Sequence, residues 1–207
     1  MVSKKIYIVR HGQTDFNKNG IVQGKGVNAP LNERGKSQGR AFYDAYKNEG
    51  FQFIYTSTLQ RTTESIQSFI EDGVPNEAFE GLCEISWGSS DGSVIAELPQ
   101  YWEICGKWAD GEVGLKAMDG ESPLDVLARQ RPVIEKIKNA PYDKVLVCMH
   151  GRAIRILLCE LLGKELKQMD DYKHHNLGLY VVSFDGNQFE LEVYNSTEHL
   201  EAVGLVD

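Results

Sequence analysis

Two histidine-glycine pairs, each closing an apolar run, are the residues best placed to do chemistry. His11-Gly12 follows Ile6-Tyr7-Ile8-Val9-Arg10, and His150-Gly151 follows Val145-Leu146-Val147-Cys148-Met149. Guanidinium groups flank both: Arg10 directly before the first histidine, Arg152 and Arg155 just after the second, and Arg61 at the end of Thr56-Ser57-Thr58-Leu59-Gln60. Imidazoles can donate, accept or carry a proton near neutrality, and arginine is a permanent planar cation suited to oxyanions. Alone, Arg-His-Gly could simply cap a sheet at its wet edge. Two strands with the same His-Gly ending are hard to explain that way, and together these types suit the binding of a small anion. A carboxylate, Glu84, stands among Leu82, Ile85 and Trp87. It is either an ordinary surface group or an acid whose proton affinity is raised by a partly apolar pocket, and the sequence leaves both open.

The elements that must hold these groups follow from periodicity. Residues 5–9 are short, apolar and β-branched, bounded by Lys4-Lys5 and Gly12, the pattern of a central strand. Open α/β sheets place ligands beyond the carboxyl ends of strands, which is where Arg10 and His11 fall, with Gly12 expected to let the backbone turn and approach a ligand. The glycine-dotted stretch 20–30 has no period and reads as a loop folding back over that strand end. Asn32 is a candidate N-cap for a helix through Phe42 and Tyr46. A second strand over 51–57 leads into a helix expected to run unbroken through Ile70, capped by Ser57 or Thr58. Arg61 then lies in its first turn, where a cation opposes the helix dipole and an anion would neutralise it.

Residues 79–92 read as a loop, and 93–119, carrying Tyr101, Trp102 and Trp108, as a helical excursion that sets specificity. Its aromatics suit a homodimer contact as well as a lid. Ser122-Pro123 starts a helix through Ile137 that Pro132 should bend or split. A strand over 145–149, a helix over 154–162 and a hairpin turning at Asp185-Gly186 complete the chain. Alternating strands and helices indicate a single α/β domain over 1–207, a three-layer sandwich with a mostly parallel central sheet and helices on both faces.

Composition narrows the function classes. The chain has 207 residues, 42% hydrophobic and 25% charged, with a formal net charge of −8. That balance argues against a nucleic-acid or anionic-membrane surface, which needs excess Lys and Arg. No apolar run approaches a bilayer span and the N-terminus lacks a signal-peptide core, so the cytoplasm is the expected compartment. Cys83, Cys105, Cys148 and Cys159 have neither CxxC spacing nor disulfide-scaffold density, which makes metal sites and staples improbable. Cys148 and Cys159 fall in apolar runs and read as small buried hydrophobes.

The motifs as a set resemble the histidine phosphatase superfamily, also called the phosphoglycerate mutase-like family. Arg10-His-Gly-Gln-Thr-Asp-Phe-Asn17 is similar to its Arg-His-Gly signature with the trailing Asn. Ala29 to Gln38, Thr56 to Glu64, Leu82 to Gly88, Gly120-Glu-Ser122, Met149 to Arg155, and Asn195 with His199-Leu200 resemble further family segments, in the family's order. Three positions depart from the family pattern: Asn28 where Asp is common, Asn32 for Thr, and Gly-Ser-Ser-Asp-Gly92 for a Trp-Glu-Gly ending.

The resemblance implies that His11 is a nucleophile forming a phosphohistidine, with Arg10, Arg61 and His150 neutralising the transferring group, His150 being protonated when the dianion is present. Glu84 would protonate the leaving alcohol and then activate water. Asn17, Gly151, Gln23 and Gly24 would contact substrate. No metal or other cofactor is expected, since side chains carry the charge neutralisation. His174, His175 and His199 are expected to be structural or exposed. The implied activity is hydrolysis of a small phosphorylated metabolite. A cofactor-dependent phosphoglycerate mutase is the first alternative and a catalytically weak phosphate-binding module the second. Hydrolysis is favoured because residues 100–118 offer only Lys107 and Lys116 to hold a substrate carboxylate.

Overall fold

The computed structural model describes residues 4–206. In chain order the elements are β1 (Lys4–Arg10), α1 (Asp15–Lys18), α2 (Glu33–Tyr46), β2 (Phe53–Ser57), α3 (Gln60–Ser65), α4 (Gln67–Glu71), β3 (Asn76–Phe79), α5 (Pro99–Ala109), α6 (Pro123–Asn139), β4 (Lys144–Met149), α7 (Gly151–Leu161), β5 (Leu179–Phe184), β6 (Phe189–Ser196) and α8 (Glu198–Glu201), joined by loops and short 3-10 turns.

Side chains on a strand alternate between faces, so a strand apolar at every position must be covered twice. In β1, Ile6 and Ile8 enter one core with β4 residues Val145 and Val147, packed under α6 and α7. Tyr7 and Val9 enter a second core with Leu146 and Cys148, packed against Phe42 of α2, Phe69 of α4 and Leu200 of α8. The result is three layers around a sheet of order β3-β2-β4-β1-β5-β6, parallel from β3 to β1 and antiparallel at the β5 and β6 hairpin.

Register decides what the sheet delivers. Arg10 pairs with Met149 and Thr56 with Cys148, so β1, β4 and β2 end at one level. The next residues, His11, His150 and Ser57, are therefore neighbours although far apart in sequence, and the His11 N–H donates to the Met149 carbonyl at 3.0 Å.

Several sequence expectations need correction. The helix after β2 is interrupted at Ile66, because the Ser65 hydroxyl bonds back to the Arg61 carbonyl at 2.6 Å and disturbs the ladder. Its N-terminus is capped by neither Ser57 nor Thr58: Asn28 Oδ1, from the loop between α1 and α2, accepts the Gln60 N–H at 2.8 Å. Pro132 does not split α6, whose apolar residues Val126, Val133, Ile134 and Ile137 stay buried on both sides of it. Helix α7 begins at Gly151, three residues earlier than its apolar pattern. Gly12 serves a helix rather than a ligand, for a Cβ there would lie 2.6 Å from the Gly35 carbonyl of α2.

Candidate active site

His11 is 2% exposed and its ring centroid lies 5.1 Å from that of His150, which is fully buried. The His11 Nδ1 is 2.7 Å from the Gly12 carbonyl oxygen, which can only accept. The proton is therefore on Nδ1, and Nε2 carries the lone pair. Burial holds the pKa of His11 well below the usual imidazole value, and the cations of Arg61 and Arg10 push it the same way.

The tautomer of His150 is fixed from both sides. Arg61 Nε–H donates to Nδ1 at 3.2 Å, so Nδ1 carries a lone pair. At the other nitrogen Ser57 Oγ lies at 2.7 Å. The Thr62 hydroxyl gives its proton to the Leu59 carbonyl at 2.8 Å and receives that of Ser57, leaving Ser57 Oγ to accept the His150 Nε2–H. His150 is thus a neutral ring with its proton on Nε2. Burial lowers its pKa first, followed by Arg61 and His11.

Arg61 has no exposed surface and no carboxylate partner among the described residues. It donates to the Val27 carbonyl at 2.6 Å and the Gly24 carbonyl at 3.5 Å, besides His150. Burial lowers its pKa from 12.5 to about 10, the signature of a cation short of counter-charge. Neither Arg61 nor His150 is among the residues that line the cavity.

The cavity measures about 440 Å³ and is lined by Arg10, His11, Asn17, Gln23, Glu84 and Gly151, among others. Asn17 uses its amide oxygen in a capping box, accepting from the Thr14 N–H and hydroxyl at 3.2 and 3.1 Å. Its NH2 group finds no acceptor among the described residues. Gly24, expected on the wall, is not there: its N–H is tied to Asp91 at 2.8 Å and its carbonyl to Arg61, and a Cβ would lie 2.3 Å from Asp91 Oδ1.

Glu84 caps α7 from outside the helix. Its Oε1 accepts from the Ile85 and Ala153 N–H groups at 2.9 and 3.0 Å, and Oε2 from the Arg152 N–H at 3.0 Å. The Gly151 N–H, first of that turn, has no acceptor among the described residues and sits at the cavity wall. Arg129 secures the loop carrying Glu84 by donating to the carbonyls of Gly81, Cys83 and Glu84 at 2.8 to 2.9 Å, while Glu121 holds Arg129 and the Ser86 N–H.

Two contributors escaped the sequence reading. His174 lines the cavity, its ring so near Gly151 that a Cβ there would lie 2.7 Å from Cε1, and burial with Arg10 and Arg155 lowers its pKa well below 6.5. Asp170 pairs with both Arg152 and Arg155. The spacing of those arginines, one turn apart on a helix face, was the available signal that a counter-ion was needed. His199 is buried, as a structural residue, against the rings of Phe42 and Tyr46. Helix α5 roofs the cavity with Tyr101 stacked on Trp87 at 4.4 Å, while Trp102 stays 64% exposed. Among the described residues no group of three or more His, Cys, Asp or Glu side chains is placed to hold a metal ion, and no helix is long and apolar enough to cross a membrane.

A model of the histidine phosphatase superfamily, branch 1, matches residues 6–197. A putative phosphoserine phosphatase 2 of Hydrogenobacter thermophilus is 25% identical over 198 residues, spanning 95% of this chain and 97% of that protein. A probable phosphoglycerate mutase GpmB of Photorhabdus laumondii is 30% identical over 165 residues, spanning 77% of this chain and 75% of that one. Of solved structures, a mycobacterial glucosyl-3-phosphoglycerate phosphatase superposes with a TM-score of 0.84 at 24% identity, over 94% of this chain and 100% of the other. At that identity the superposition speaks for the shared fold.

Proposed function

Because the chain belongs to the histidine phosphatase superfamily, branch 1, we propose that it is a metal-independent phosphomonoesterase acting through a phosphohistidine on His11. The observation that carries this reading is the tautomer of His11: a neutral ring with Nδ1–H tied to Gly12 and the Nε2 lone pair left for attack, in a cavity walled by Arg10. The similarity to phosphoserine phosphatases of Hydrogenobacter thermophilus supports it.

In the first step Nε2 attacks phosphorus, the P–O bond to the alcohol breaks, and the leaving oxygen takes a proton from Glu84. Arg10, the Asn17 NH2 and the Gly151 N–H hold the phosphoryl oxygens, while the buried Arg61 guanidinium supplies fixed positive potential and holds the His150 ring beside the nucleophile. In the second step the Glu84 carboxylate takes a proton from water, the water oxygen attacks phosphorus, and the P–N bond returns its electrons to His11. Glu84 Oε2, with one backbone partner, keeps a lone pair for that proton.

A mutase reading needs bound glycerate held while the phosphohistidine is shielded from water. The lysines of the α5 region give it no support: Lys107 pairs with Glu103 and Lys116 with Asp125 on the surface, and neither lines the cavity. The test is release of inorganic phosphate from an aryl phosphate in chelator-treated buffer, with acid-quenched protein assayed for bound phosphate. Turnover abolished by His11→Ala is expected. No turnover on any monoester would favour the binding module, and primer-dependent transfer between glycerate positions outpacing hydrolysis would favour the mutase.

A further inference from the structure

The catalytic steps above use Arg10 and Arg61 but leave two buried guanidinium groups of the same cavity without a task. Arg152 and Arg155 lie one turn apart on α7, and their side chains are only 11% and 19% exposed. Both reach a single oxygen, Oδ1, of Asp170. One carboxylate against two guanidinium groups leaves an uncompensated positive charge in a half-closed space. Arg155 Nε, moreover, is buried with no hydrogen-bond partner among the described residues, and a buried donor left unpaired costs about 1–3 kcal/mol. Glu84, which also acts on Arg152, is committed to backbone N–H groups. Arg152 also has the Tyr101 side chain as a hydrogen-bond partner, and its guanidinium lies 5.6 Å from the Trp108 ring centroid and 3.4 Å from Cys105 Sγ.

We infer that Arg152 and Arg155 form a seat for a carboxylate on the leaving group of the substrate, and that Asp170 is the exchangeable internal carboxylate occupying that seat in the free protein. A carboxylate is favoured over a second phosphate because the seat already accepts a carboxylate, that of Asp170. The seat is formed by α7 side chains of this chain in the cavity that His11 and Arg10 also line, and Arg152 touches Cys105 of α5, so the preferred substrate carries its phosphoryl group at His11 and its carboxylate under α5. Recognition of a carboxylate does not by itself make a mutase, which must also keep water from the phosphohistidine. The inference rests on the phosphomonoesterase reading.

The test compares a series of ω-phosphoalkanoates of two to four carbons with the alkyl phosphates of equal length, on the wild type, Arg152→Gln and Asp170→Asn. The expected result is a wild-type kcat/KM at least tenfold higher for the best phosphoalkanoate than for its alkyl counterpart, expressed mainly in KM. Arg152→Gln is expected to lower that ratio roughly 10- to 100-fold, the worth of a hydrogen bond to a charged group. Asp170→Asn is expected to raise it several-fold by removing the competing anion, and serves as the second arm should Arg152→Gln fold poorly. Equal handling of the two series by the wild type, a ratio unmoved by either substitution, or preference for a bisphosphate of equal length would overturn the carboxylate seat while leaving the phosphatase reading standing. Should no ester turn over, the phosphatase reading fails. Calorimetric titration of both series into wild type and Arg152→Gln would then decide the seat by itself, selective binding of the phosphoalkanoate supporting it and equal binding refuting it.

Discussion

Glu84→Gln is the substitution whose consequences are most sharply set by the geometry, because the same carboxylate caps a helix and is assigned the proton transfers. The glutamine oxygen can replace Oε1 and keep the bonds from the Ile85 and Ala153 N–H groups at 2.9 and 3.0 Å. Its NH2 then faces the Arg152 N–H, donor against donor, where Oε2 had accepted at 3.0 Å. Losing that bond with a donor left unpaired costs about 1–3 kcal/mol. The charge lost from the α7 N-terminus adds about 0.3–1 kcal/mol. At about 2–4 °C per kcal/mol for a chain of this size, the unfolding midpoint is expected to drop by roughly 5–10 °C. The kinetic signature is separate. An alkyl leaving group needs a proton and a nitrophenolate does not, so kcat/KM should fall about 10²- to 10⁴-fold on alkyl phosphates and less than about tenfold on nitrophenyl phosphate. Dephosphorylation also loses its base, so nitrophenolate should appear as a burst equal to the enzyme concentration, followed by slow turnover. Equal losses on both ester classes without a burst would refute the acid-base role, and an unchanged midpoint would refute the cap.

Two further expectations concern the histidines. Because burial and the neighbouring guanidinium groups hold His11 and His150 well below the ordinary imidazole value, their ring proton resonances should not titrate between pH 8 and 6, and a transition centred near 6.5 would contradict the described environment. The sign for stability follows: below pH 6.5 the unfolded chain takes up protons that the folded one refuses, so unfolding free energy should fall with pH by up to about 1.4 kcal/mol per unit for each such histidine. Ser57→Ala removes the acceptor that pins the His150 Nε2–H, and kcat is expected to fall up to roughly tenfold, the worth of one hydrogen bond. A nitrogen-15 spectrum should then show that His150 ring less uniformly protonated at Nε2, and an unaltered spectrum would remove Ser57 from the positioning network.

The layers were legible because burial on both faces leaves a plain trace: β1 and β4 are apolar at consecutive positions, and α2 carries its N-cap where expected, Asn32 Oδ1 accepting the Gly35 N–H at 2.9 Å. Strand β3 was not legible, since Asn76, Glu77 and Ala78 are exposed at the sheet edge and carry no hydrophobic pattern. Helix α7 starts earlier than its apolar residues because its first turn is held by Glu84, sixty-odd residues away in sequence. Pro132 shows the converse limit. A local breaker predicts an interruption, but buried residues on both sides of it anchor one helix across the missing N–H.

For the site, the readable part was what strand ends deliver and the hidden part was what loops bring to them. That His11 and His150 converge follows from parallel pairing of β1 and β4 in a register no motif encodes, with Arg10 opposite Met149. Arg61 joins them only because the loop between α1 and α2 offers it the carbonyls of Val27 and Gly24, and Asp91 holds Gly24 in turn. His174 and Asp170 lie between α7 and β5, Asp170 in a short 3-10 turn over Leu166–Asp171 and His174 in the loop after it, where no hydrophobic period marks a residue as facing a cavity. Yet both answer a need already visible upstream: cations at Arg10, Arg152 and Arg155 crowd one wall, and a crowded wall requires a carboxylate and favours a neutral imidazole over a charged one. Unbalanced charge in a motif is therefore the trace by which such loop residues can be sought before coordinates exist, and the Arg152 and Arg155 pair, which share one carboxylate in Asp170, is where that trace leads to the proposed seat.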